Sequence, residues 1–141
     1  MILDERLRWM GFWMLDKAKG GKIREYYDQI RYAWKEGSSV EETEKKIQDL
    51  IAQIFEVVIA DGKGIELNTS SRAYKLKSLM PSKEILKLYH DMGGKIITIG
   101  SDAHNADRIG DCVMESQKIL KDIGFDGIYT FEKMKPEFHR F

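Results

Sequence analysis

An aspartate and a histidine one residue apart, in Gly100-Ser101-Asp102-Ala103-His104, are the pair whose chemistry stands out first. If extended geometry persists after the preceding residues, positions i and i+2 point to the same side. A carboxylate oxygen beside an imidazole nitrogen suits zinc, manganese or iron, and such an ion turns a bound water into a hydroxide nucleophile near neutral pH. The competing reading is that Asp102 caps the following turn and His104 packs beside it.

A second candidate is the hydroxyl-rich, basic run Ser70-Ser71-Arg72, with Lys75 and Lys77 beyond it. The guanidinium fork of Arg72 can clamp a phosphate through paired hydrogen bonds; equally, the run is a solvated loop that carries cations. Glu66 falls inside a strand-like segment, where a buried carboxylate needs a partner, and Lys95, Arg72 or a metal are the choices. His90 is expected at the surface near a helix end, and His139, close to the chain end, is expected to be mobile. Cys112 reads as a small core residue on the apolar face of a helix. Being the single cysteine, it forms no disulfide within the chain, and with no CxxC pair any metal falls to His and carboxylates.

These residues need elements to hold them. Ser39 and Glu42 form a capping box ahead of Ile47, Leu50, Ile51, Ile54 and Val58, which recur at helical spacing until Asp61-Gly62. Residues 64–69 alternate apolar and polar and read as a strand. Pro81-Ser82 opens a helix with Ile85, Leu88, Tyr89 and Met92 on one face, stopped by Gly93-Gly94. Residues 95–99 form an almost continuous apolar strand, as expected where both faces are covered. A further helix carries Ile109, Cys112, Val113, Ser116, Leu120 and Ile123 on one stripe to Gly124, and residues 128–131 are the last strand. Strands alternating with helices predict an α/β architecture with three parallel strands and right-handed crossovers. In such folds ligands collect at the carboxyl ends of the strands, which places Asn68 to Arg72 and Ser101 to His104 at one end. Residues 2–18 and 22–35 read as two aromatic-rich helices, separated by Gly20-Gly21, whose rings serve as packing surface.

The chain has 141 residues, 43% of them hydrophobic, which fits one globular domain and excludes disorder. Lys plus Arg and Asp plus Glu each total 23, so no overall charge draws the chain to nucleic acid or to anionic lipid. Stacking of Tyr26, Tyr27 and Trp34 on bases is therefore disfavoured, and no nucleic-acid partner is expected. No stretch approaches the ~18 apolar residues of a membrane span, and the charged start lacks a signal-peptide core, so the expected compartment is the cytoplasm.

Three segments then carry a resemblance: Gly62-Lys63-Gly64-Ile65-Glu66-Leu67-Asn68-Thr69-Ser70, Pro81-Ser82-Lys83-Glu84-Ile85-Leu86-Lys87-Leu88-Tyr89, and Ile97-Thr98-Ile99-Gly100-Ser101-Asp102-Ala103-His104. In order and spacing they are similar to the carboxyl-terminal part of the PHP (polymerase and histidinol phosphatase) family. The likeness extends over about residues 40–136, through Gly110 and the run from Gly124-Phe125 to Lys135-Pro136. It implies a distorted (βα)7 barrel that hydrolyses a small phosphate monoester, L-histidinol phosphate, with divalent metals held at the top of the barrel. On that resemblance Asp102 and His104 are metal ligands and Arg72 contacts the substrate phosphate. Glu66 matches a position typical of the family, without an assigned role. Ser71-Arg72 departs from the family's glycine-containing turn.

Other departures are larger. The H-x-H and G-H-x-D segments that supply further ligands in the family do not occur, since His90 is the first of three histidines. Three strands cannot close a seven-stranded barrel, so open edges call for cover. A second copy or a complementing chain is the expected partner. A non-catalytic binding or oligomerisation module on the same half-barrel is the alternative to an enzyme, because function belongs to the site and not to the fold.

Overall fold

The computed structural model describes residues 39–76 and 79–141, together with Gln29, which is helical. The expected aromatic helices 2–18 and 22–35 lie outside the described residues, as does Lys77.

Helix α1, Val40–Ala60, starts at the capping box read in the sequence: Ser39 Oγ accepts from the Glu42 amide, and the Glu42 carboxylate accepts from the Ser39 amide. Its buried stripe is Ile47, Leu50, Ile51, Ile54, Phe55 and Val58. Strand β1, Ile65–Asn68, follows, then a 3-10 turn over Thr69–Arg72. Helix α2, Lys83–Asp91, is capped by Ser82; strand β2, Ile97–Gly100, comes next, and helix α3, Val113–Ile123, ends at Gly124. Strands β3, Gly127–Glu132, and β4, Lys135–Arg140, complete the chain.

Strands β1 and β2 pair in parallel, Ile65 with Ile97 through Asn68 with Gly100. Parallel neighbours need a crossover, and α2 supplies it. The helix is held to the start of β2 by Tyr89, fully buried, whose hydroxyl donates to the Ile96 carbonyl at 2.9 Å and whose ring meets Phe55 edge-on at 5.1 Å. Burial pushes this hydroxyl's pKa up to about 12. The core thus forms where α1, α2 and α3 cover the parallel pair, through Phe55, Leu67, Leu86, Tyr89, Ile97 and Leu120. Just before β1, Gly64 lets the backbone pass close to the residue before β2, because a Cβ there would run into the Ile96 carbonyl.

The α/β reading holds, with a short parallel sheet, but the expectation of three parallel strands does not. Strand β3 pairs antiparallel with β4 in a separate hairpin, Gly127 opposite Arg140 through Glu132 opposite Lys135, and no closed barrel is formed among the described residues. A two-residue turn at Lys133 and Met134, both at positive φ (50° and 65°), reverses the chain and gives β3 its partner. Such turns match the twist of the strands they join, but they ordinarily use Asn-Gly because a Cβ in the left-handed region costs about 1 kcal/mol or more. His139, expected to be mobile, is ordered in β4, where its Nε2 lies 2.7 Å from Thr130 Oγ1.

Helix α3 also starts later than its apolar stripe implied. Gly110 and Cys112 both have positive φ, 76° and 59°, so the chain cannot be helical there. Ile109 is therefore exposed, at 76%, and Cys112 is the N-cap residue and not a core position. Among the described residues no helix is long and apolar enough to cross a membrane.

Candidate functional site at the carboxyl ends of the parallel strands

Parallel pairing puts the ends of β1 and β2 side by side, so the loops after Asn68 and Gly100 emerge at the same end of the sheet. The first loop is wound tightly. Asn68 Oδ1 accepts from the Ser70 amide at 2.9 Å and the Ser70 hydroxyl at 2.6 Å, while Thr69, Ser70 and Ser71 are all buried. An Asx cap of this kind replaces the ladder bonds the strand has lost. The Asn68 amide donates to Met80 O at 2.8 Å, which covers the free edge of β1 at its last residue.

The turn before α3 is clipped to both loops. Thr69 Oγ1 donates to the Asp111 carbonyl at 2.6 Å, Arg72 Nη1 donates to Cys112 Sγ at 3.2 Å, and the Gly110 amide donates to Ser101 Oγ at 3.3 Å. Cys112 in turn donates to Asp111 Oδ1 at 3.3 Å. Three consecutive residues, 110–112, thus tie the Arg72 loop to the Asp102 loop. None of these contacts was read from the sequence: the partners of Thr69 and Arg72 lie 42 and 40 residues away. Gly110 was the one local sign that the chain turns at that point.

Asp102 and His104 do come together, with Asp102 Oδ1 3.6 Å from His104 Nε2. They do so for a different reason from the one the spacing gave. Asp102 has φ 47°, in the left-handed region that aspartate tolerates, so strand geometry ends before it and the turn itself brings the two side chains together. The His104 side chain is 73% exposed and that of Asp102 35%, so the pair faces water.

Two donors bound to one ion at about 2.1 Å lie at most ~4 Å apart, and the pair meets that limit. A catalytic zinc, however, takes three protein ligands, and among the described residues no group of three or more His, Cys, Asp or Glu converges. The residues present fit part of a metal centre and not a complete one.

For Glu66 the sequence left three partners open, Lys95, Arg72 or a metal. The residue is exposed on its strand, and its carboxylate lies against the backbone of Gly100, where an added Cβ would sit 2.7 Å from Oε2. Its partner is neither Lys95 nor Arg72. Partial burial and the negative charge of Asp102 raise its pKa above the ordinary 4.5, against a hydrogen bond from Asn68 that lowers it. The carboxylate therefore belongs to the same end of the sheet as Asp102.

His90 and His139 stand apart from this end. His90 Nε2 lies 3.1 Å from the Gly124 carbonyl, and the ring meets Phe125 edge-on at 4.9 Å. The ring is more enclosed than a surface position implied, and it lines a cleft of about 200 Å³ with Lys95, Phe125, Asp126 and Tyr129, near the amino ends of β2 and β3.

A scan against models of known protein families finds no match. Among curated proteins, the chain is 35% identical over 82 residues to a probable histidinol-phosphatase of Thermotoga maritima, covering 58% of this chain and 35% of that protein. It is 28% identical over 89 residues to a histidinol-phosphatase of Lactococcus lactis subsp. lactis, covering 62% of this chain and 32% of the other. A probable histidinol-phosphatase of Clostridium acetobutylicum is 32% identical over 87 residues, covering 60% of this chain and 32% of its own. The chain spans about a third of the length of these relatives. Over about 60% of its own length, it is similar to histidinol-phosphatases.

Proposed function

We infer that this chain is the carboxyl-terminal part of a histidinol-phosphatase-like phosphomonoesterase of the PHP type, with L-histidinol phosphate as the expected substrate. The observation that carries the reading is the clip at residues 110–112, which holds the Arg72 loop and the Asp102-x-His104 loop at one end of a parallel sheet. In this reading Arg72 receives the substrate phosphate. Asp102 and His104 contribute two ligands to a divalent metal centre of zinc, manganese or iron. Its remaining ligands come from a complementing chain or from a longer polypeptide. The relatives' length supports that division, because this chain accounts for about a third of them.

A specific observation favours a second reading, a non-catalytic module: only two candidate donors meet at the site among the described residues. Metal content per chain, measured on protein purified without chelator, separates the two readings. Zinc, iron or manganese that is retained by the parent and lost in an Asp102→Ala, His104→Ala variant supports the enzyme reading. The same variant should then also lose divalent-metal-dependent phosphate release from L-histidinol phosphate, and Arg72→Ala should raise KM more than it lowers kcat. Metal-free parent protein with no phosphate release leaves the binding module as the function.

A further inference from the structure

We propose that the aromatic face of the β3–β4 hairpin is a docking surface for a second copy of this chain. The proposal does not depend on the phosphatase reading.

Side chains alternate between the faces of a strand, and directly paired residues share a face. The register therefore puts Tyr129, Phe131, Pro136 and Phe138 on one face, with Gly127 and the exposed Arg140 at its base, and Ile128, Thr130, Glu132, Lys135, Glu137 and His139 on the other. At the base of the hairpin both faces meet the body of the protein, Ile128 by packing against the core and Tyr129 with Phe138 by lining the cleft beside Phe125. An antiparallel hairpin ordinarily turns its apolar face inward and its polar face to water. Beyond its base this hairpin leaves both faces in water, the apolar one included. Phe131 and Phe138 remain 49% and 46% exposed, and Met134 at the tip is 91% exposed. The Tyr129–Phe138 contact, with ring centroids 5.1 Å apart, joins this surface to the cleft beside Phe125 and His90.

The edge of β4 is a poor route for a partner. In a two-residue hairpin the pair flanking the turn, Glu132 and Lys135, is the hydrogen-bonded one. The next pair, Phe131 and Pro136, is then not hydrogen-bonded, so the Pro136 nitrogen faces outward and offers no donor to an added strand. What remains is the face. Exposed Phe131, Phe138 and Met134, with parts of Pro136 and Tyr129, offer roughly 500 Å² per copy at aromatic side-chain areas of ~200 Å². Two such faces bury about 1,000 Å² in total, the lower bound for a specific interface. Pairing the surface with itself about a two-fold axis covers the same apolar residues on both copies. The chain's zero net charge sets up no long-range repulsion between them. An interface of this size fits a weak dimer, with a dissociation constant on the order of 10–100 μM.

Sedimentation velocity on the full chain from about 5 to about 500 μM tests this. The expected result is a concentration-dependent monomer–dimer equilibrium that Phe131→Thr with Phe138→Thr weakens at least tenfold. Met134→Lys, at a tip where no core packing is disturbed, should weaken it about threefold, so the test stands even if the double variant fails to fold. A parent chain that stays monomeric at the highest concentration overturns the proposal, including the case in which a different protein covers the face. A dimer that neither variant weakens overturns it as well, because the contact then lies elsewhere.

Discussion

Two two-stranded sheets occur among the described residues, and they are stabilised in different ways. In β1–β2 the strands are four residues long, with Ile65, Leu67 and Ile97 buried and helices packed over them. In β3–β4 the strands are six residues long, yet β4 is exposed throughout and only the base of the hairpin, at Ile128 and Phe141, joins the core. A lone hairpin is marginal in water, whereas a short parallel pair under helices takes its stability from burial. The candidate site sits on the first kind of sheet, so its loops inherit the rigidity of the core. The hairpin presents surface, and its apolar side chains are free for intermolecular contact.

The largest test of this contrast compares one phenylalanine from each region. Phe55→Ala, at a fully buried position facing Tyr89, should cost about 3–5 kcal/mol. Phe138→Ala, half-exposed on the hairpin, should cost about 1 kcal/mol or less at concentrations where the chain is monomeric. Urea unfolding followed by circular dichroism gives both values, and equal losses would mean that the hairpin is as much part of the core as α1.

The same contrast explains what was legible in the sequence. Helix α1 could be read because its capping box and its 3.6-residue stripe agree, and tertiary structure had only to bury what was already patterned. The parallel pair could be read because apolar runs ended in turn-forming residues, Asn68 and Gly100-Ser101. The hairpin could not. Lys133-Met134 carries none of the usual chemistry of a tight turn, and Lys-Pro-Glu-Phe-His-Arg resembles a loose tail more than a strand. Ile109 misled in the opposite direction: it kept the helical period while Gly110 and Cys112 took left-handed conformations that end any helix. At the site, the types and order of Arg72, Asp102 and His104 were legible. The clip that unites their loops was not, because bonds spanning about 40 residues leave no local pattern.

Intermediate effects are expected where a single contact matters. Thr69→Val keeps the shape of a buried side chain but removes its hydrogen bond to the Asp111 carbonyl, at a cost of about 1–2 kcal/mol. It should also raise amide exchange at residues 110–112 above that of the hairpin. Exchange that rises only in β3–β4 would break the link between the clip and the site. Met134→Gly should work in the other direction. Relief of a left-handed Cβ at the turn is expected to stabilise the hairpin by about 0.5–1 kcal/mol in thermal unfolding at low protein concentration.

The smallest effect is the one that bears most directly on the chemistry at the end of the parallel pair. Glu66 has its pKa raised above 4.5 in the folded chain, first by burial and then by Asp102, so the native state holds this proton more tightly than the unfolded state does. The group's favourable contribution is therefore complete below pH 4.5 and is lost as pH rises through the raised native value. Glu66→Gln has no proton to lose. The variant should equal or exceed the parent in stability near neutral pH, and that advantage should shrink as the pH is lowered toward 4.5. The exposed part of the side chain stays solvated and salt screens the Asp102 charge, so the difference should be modest and should fall as ionic strength rises. Asp102→Asn removes the electrostatic part and leaves the burial part, so in that background the effect of Glu66→Gln should be reduced but not abolished. An unchanged effect would mean that the two carboxylates do not sense each other, and that Glu66 belongs to the sheet alone.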